Sequence, residues 1–139
     1  MADHVSIILA EPSPFLREKL AGILSRQADV WCVLQVSTAE GLLRGSAEHQ
    51  PDLVLADLSL FADRSLAGRL RLTAPRARLV ALVEYESRPY AVAAAAFGVD
   101  GIIAKDHLSE EFRNGPGHLL GQDASAGVNG GRANRQRRG

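Results

Sequence analysis

Two kinds of hydrophobic pattern alternate along the chain. Dense apolar runs occur in VSIILA at 5–10, VWCVLQV at 30–36, QPDLVLAD at 50–57, RLVALV at 78–83 and VDGIIAK at 99–105. A compact run with little alternation, such as VSIILA, predicts a strand covered on both faces. Pro51 and Asp52 form the turn into the third strand. Between the runs the spacing lengthens to that of helices. After EPSP, Pro14 can begin a helix, and Leu16, Leu20, Ile23 and Leu24 recur with Arg17, Glu18 and Lys19 between them. Ser37 or Thr38 can cap the next helix, which carries Leu42 and Leu43. Its Gly41 and Gly45 predict a helix held by packing rather than by propensity. LAGRLRLTAP predicts a short helix stopped by Pro75, and RPYAVAAAAFG an alanine-rich helix closed by Gly98. Strand and helix alternate with short links, which predicts an α/β domain: a parallel sheet with helices on its faces. Ligands of such sheets sit beyond the carboxyl ends of the strands, where Glu11, Asp57, Glu84 and Lys105 all fall.

The last helix breaks the pattern. After KDHLSEEF comes RNGPGHLLG, whose glycines and proline leave room for barely two turns. Leu108, Phe112, Leu119 and Leu120 are the apolar residues available to cover the flank over strands one and five. The expectation is an under-covered apolar strip there, relieved by self-association or by GPGHLLG folding back. Residues 1–114 form the expected domain. Residues 115–139, glycine-rich with Arg132, Arg135, Arg137 and Arg138 against Asp123, have no hydrophobic periodicity and read as a disordered tail.

Composition narrows the classes. With 139 residues and 46% hydrophobic content a single core is expected. Sixteen basic residues balance sixteen acidic ones, so nothing in the overall charge argues for nucleic acid. Cys32 has no cysteine partner and reads as a small buried hydrophobe. The start MADHVSIILAEPSP lacks a basic leader, and no apolar stretch is long enough for a membrane span, so the expected location is cytoplasmic.

Asp57 ends an apolar run, and by itself it suits a solvated strand end or a helix cap as well as a reactive site. Its surroundings decide between these. ILAEPSPFLREKL, PDLVLADLSL and AVAAAAFGVDGIIAKDHL, in this order and spacing, resemble a bacterial response-regulator receiver domain of the CheY-like family over roughly residues 4–114. The resemblance implies a doubly wound, flavodoxin-like sheet of five parallel strands in the order 2-1-3-4-5, from which the short or incomplete last helix of this sequence departs. It implies that Asp57 is the phosphoacceptor of a two-component phosphorelay and Lys105 the lysine that pairs with it. It also implies a Mg²⁺ ion held by Glu11 and Asp57, since the transfer brings like charges together and needs neutralisation. No organic cofactor is implied.

The chain departs from that pattern as an atypical, degenerate member would. Pro12 stands where the family's direct metal ligand is expected and offers neither a side-chain oxygen nor an N–H. Val83 replaces the switch hydroxyl, Ile102 the switch aromatic, and Phe61 the proline four residues after the acceptor. The expectation is weak Mg²⁺ binding and slow phosphorylation, with Glu84 and Glu86 a solvated rim and Glu84 the first substitute ligand to suspect if binding proves tight. The partners implied are a sensor histidine kinase or phosphotransfer protein, an unidentified protein that reads the output, and a second copy of the chain. Tyr85 and Tyr90 border the fourth helix, the surface receivers use for such contacts. The competing reading is a phosphorylation-independent adaptor. A flavin carrier would need a phosphate-cradling loop that EPSP does not provide. An independent enzyme is not expected, because no serine, cysteine or histidine has a partner placed to activate it.

Overall fold

The computed structural model describes residues 4–113. Strands β1 (Val5–Ala10), β2 (Val30–Val36), β3 (Leu53–Asp57), β4 (Arg78–Val83) and β5 (Gly101–Ala104) alternate with helices α1 (Pro14–Ser25), α2 (Ala39–His49), α3 (Leu66–Thr73) and α4 (Arg88–Phe97). A short α5 (Leu108–Glu111) follows β5. Every strand pair is parallel, and the order across the sheet is β2-β1-β3-β4-β5. The parallel sheet with flanking helices is what the alternating pattern predicts, and the strand order is the one the resemblance implied.

The dense strands divide their side chains between two cores. Val5, Ile7, Leu9, Leu53, Leu55, Val80, Leu82 and Ile103 face the side of α1 and α5, where they meet Leu20, Leu24, Leu108 and Phe112. Ile8, Ala10, Val54, Ala56, Leu79 and Ala81 face the other side and meet Leu42, Leu66 and Leu70. Both faces are therefore covered, which is why the strands read as unbroken apolar runs.

Local chemistry sets the helix ends. Ser13 Oγ accepts the Leu16 N–H at 3.2 Å, Thr38 Oγ1 the Gly41 N–H at 3.0 Å, and Ser87 Oγ the Tyr90 N–H at 3.3 Å. Gly98 closes α4 at φ +91°, a conformation that side-chain-bearing residues rarely adopt. Gly45 is a packing glycine, as its place in α2 suggested. A β-carbon there would run into the terminal Cδ2 methyl of Leu34, so that side chain would have to give way. Two carboxylates in the loops before β3 and β5 tie the chain to neighbouring strands. Asp52 Oδ2 accepts the Ser6 N–H at 2.9 Å, and Asp100 Oδ2 accepts the Leu79 N–H at 2.8 Å.

Three features differ from expectation. A 3-10 segment, Leu58–Ala62, leaves β3 immediately after Asp57 and carries Phe61 into the core with no exposed surface. β5 is shorter than the run VDGIIAK. The short α5 nevertheless buries both Leu108 and Phe112, and Val5, Ile7, Leu9 and Ile103 beneath it are buried too. Among the described residues the exposed large apolar side chains are Phe15, Trp31, Leu72, Tyr85 and Val92, none on β1 or β5, so no bare strip is found along those strands. Leu119, Leu120, the GPGHLLG segment and the tail lie outside the described residues. Phe112→Ala should therefore lower the unfolding free energy by about 3–5 kcal/mol, read by urea denaturation. A loss below about 1 kcal/mol would show that α5 is not what covers this flank.

Candidate functional site

The carboxyl ends of β1, β3 and β5 bring together three residues far apart in sequence. Glu11 follows β1, Asp57 ends β3, and Lys105 follows β5. The Lys105 ammonium lies between the two carboxylates, 2.8 Å from Glu11 Oε1 and 2.6 Å from Asp57 Oδ1. Glu84, just past β4, reaches to 3.9 Å from the same nitrogen. The Lys105 and Glu11 side chains are 10% and 3% exposed, whereas that of Glu84 is 68% exposed. Glu84 is thus a solvated rim, and the inner triad is Glu11, Lys105 and Asp57.

The remaining oxygens are also engaged. Asp57 Oδ2 accepts the Ser59 N–H at 3.0 Å and a hydrogen bond from the Ser59 hydroxyl. Asp57 is thereby also the N-cap of the 3-10 segment, so the capping role and the site role fall on one carboxylate. Glu11 Oε2 accepts the Ser13 N–H at 3.0 Å, and the Glu11 carbonyl accepts from Arg17 at 2.7 Å. Glu11 Oε1 has no well-aligned hydrogen bond, and its charge is balanced by Lys105.

These contacts set the charge states. Burial works against the ionised form of Asp57, but Lys105 and the Ser59 hydroxyl and N–H outweigh it and hold the carboxyl below its ordinary value of 3.8. Burial likewise works against the Lys105 ammonium, but Asp57 and Glu11 outweigh it and hold the group above 10.5. A depressed carboxyl stabilises the fold above its ordinary range and loses that contribution as pH falls through the shifted value. A raised ammonium stabilises below its ordinary value and loses that contribution as pH rises through the shifted one. The pair therefore stabilises throughout the interval between 3.8 and 10.5.

The donor set does not fit a divalent cation as it stands. Among the described residues no group of three or more acidic, histidine or cysteine side chains is placed to hold a metal. Pro12 is exposed and offers no donor, while the two carboxylates already share one ammonium. Val83 and Ile102, at the expected switch positions, carry no polar atom. Val83 is 3% exposed, and Ile102 packs against the core on the α2–α3 side. The Tyr85 and Tyr90 rings meet each other with centroids 5.2 Å apart, and Tyr85 remains exposed. Ser59 and Ser13 were not singled out in the sequence. The signal for both was an acid two residues earlier, the spacing of a side-chain turn.

No protein-family model matches the chain. It is 21% identical to a LuxR-family two-component response regulator from Aurantimonas, with 86% of each chain covered and a TM-score of 0.72. The chain has the receiver-domain fold of response regulators. A second solved structure is a response regulator from Burkholderia pseudomallei with a phosphorylated aspartic acid, a calcium ion and citrate. It is 25% identical over 88% of this chain and 69% of its own, with a TM-score of 0.68. The transcriptional regulatory protein DesR of Bacillus subtilis is 26% identical over 110 residues, 79% of this chain and 55% of DesR. The receiver spans about half the length of the curated relatives it matches.

The triad predicts how this receiver responds to acid when its cation is removed. Lys105→Met leaves two carboxylates facing one another without a counter-ion, which should cost about 3 kcal/mol at neutral pH. Acidification lets one carboxylate take a proton, so the deficit should shrink toward pH ~5. Urea unfolding of both chains across this range checks it. A deficit that stays constant or grows in acid would show that the carboxylates do not oppose each other across the lysine.

Proposed function

We propose that the chain is a receiver module of two-component signalling, with Asp57 as its phosphoryl acceptor. The observation that carries this reading is the ion pair between Asp57 Oδ1 and Lys105 Nζ at 2.6 Å, at the carboxyl edge of a receiver-type sheet. Asp57 forms an O–P bond to the phosphorus of a phosphohistidine or small phosphodonor. The donor's P–N or P–O bond breaks, and the imidazole or carboxylate leaves with that electron pair. Lys105 follows the negative charge from the Asp57 carboxylate to the incoming phosphoryl oxygens. Two features slow the transfer. Glu11 keeps a second negative charge beside the nucleophile, with no ligand at Pro12 to draw in a cation. Val83 leaves one phosphoryl oxygen without the hydrogen bond a hydroxyl would give, a contact worth about 1.5–3 kcal/mol.

On this reading Mg²⁺ binds weakly and the donor is a sensor histidine kinase or a phosphotransfer protein. The output is a protein contact, with a second copy among the candidate partners, and the setting is cytoplasmic. Among the described residues no helix is long and apolar enough to cross a membrane. The phosphorylation-independent adaptor is the second reading. It is favoured by the closed triad, in which Lys105 already supplies the cation that the carboxylates need.

Incubation with acetyl phosphate and Mg²⁺, followed by intact-mass analysis, separates the two. The acceptor reading expects slow addition of one phosphoryl group, abolished in Asp57→Asn. It expects faster addition and tighter Mg²⁺ binding in a Pro12→Asp, Val83→Thr chain. Complete absence of label in both the native and the repaired chain would leave the adaptor reading standing and remove the acceptor one.

A further inference from the structure

Asp57 is held at both oxygens, and by different groups. Oδ1 faces the Lys105 ammonium, while Oδ2 accepts both the N–H and the hydroxyl of Ser59. Ser59 is exposed, so its hydroxyl is not placed there by core packing. The N–H bond alone suffices to cap the 3-10 segment after β3, which makes the hydroxyl an addition to the structural requirement. Resting on the acceptor role argued above, we propose that Ser59 is a positioning residue: its hydroxyl reserves Oδ2 as a fixed acceptor, leaves Oδ1 as the reacting oxygen, and thereby restrains phosphoryl transfer.

The chemistry gives the restraint its direction. In transfer from a small acyl phosphate, an Oδ1 lone pair forms the new O–P bond. The donor's bridging P–O bond breaks, and the donor leaves as a carboxylate with that electron pair. Asp57 changes from a carboxylate to the acyl group of an acyl phosphate, and Oδ2 changes from a charged acceptor to a neutral carbonyl. A hydrogen bond to an ionised acceptor is roughly twice as strong as one to a neutral acceptor. The Ser59 hydroxyl therefore stabilises the starting carboxylate more than the product. Lys105, 2.6 Å from Oδ1, is not subject to this loss, because the charge it pairs with moves onto the phosphoryl group bonded to that same oxygen. Ser59 opposes the reaction, and Lys105 follows it.

The test compares native, Ser59→Ala and Ser59→Thr chains for the rate of labelling by acetyl phosphate, read by intact mass with Asp57→Asn as the blank. All three keep the residue 59 N–H and hence the cap. The proposal expects Ser59→Ala to label about tenfold faster than native, with Ser59→Thr restored to the native rate because its hydroxyl can resume the contact. Native and Ser59→Ala chains labelling at equal rates would overturn the Ser59 role while the acceptor reading stands. Slower labelling of Ser59→Ala would overturn it also, since the hydroxyl would then be assisting the reaction. No label on any chain removes the acceptor reading, and with it the restraint.

Discussion

A single ammonium group neutralising two carboxylates is the constraint on which the rest of the site depends. Glu11 and Asp57 come from adjacent strands and would repel one another at the carboxyl edge of the sheet. Lys105, 2.8 Å from one and 2.6 Å from the other, turns that repulsion into a closed and largely buried ion-pair triad. Low exposure strengthens the attraction, and it makes the loss of any member expensive. The lysine thus keeps the edge folded, and on the proposed acceptor reading it also supplies the positive charge that a transferred phosphoryl group requires.

The sheet makes this triad possible without long loops. Parallel strands in the order β2-β1-β3-β4-β5 put the ends of β1 and β3 side by side, and Lys105 reaches across β4 from the end of β5. The two-sided core holds those strand ends at fixed positions. Phe61 anchors the 3-10 segment that Asp57 caps, so the carboxylate is oriented from both directions of the chain. Val83, at the end of β4, and Ile102, within β5, carry no polar side-chain atom and add no hydrogen-bonding group to this edge.

Much of this was legible in the sequence, because it depends on periodicity and on strand ends. The strands at 5–10, 30–36 and 78–83 coincide with their apolar runs, and Thr38, Pro75 and Gly98 mark helix ends through local chemistry. Glu11, Asp57 and Lys105 were visible as polar residues placed where apolar runs stop. What was not legible depends on side-chain direction. Nothing in PDLVLADLSLF announced that the chain turns into a 3-10 segment carrying Phe61 inward, or that the Ser59 hydroxyl turns back onto Asp57. The last helix was legible in part: Leu108 and Phe112, apolar residues it offered as cover, join the core that holds Val5, Ile7, Leu9 and Ile103.

The central claim is that Asp57 and Lys105 act as one charge-coupled unit rather than as two neighbours. A double-mutant cycle of Asp57→Asn and Lys105→Met, measured by equilibrium unfolding at neutral pH, isolates their interaction from each residue's separate role. The account predicts a coupling of about 1.5 kcal/mol or more. Additivity to within about 0.3 kcal/mol would contradict it.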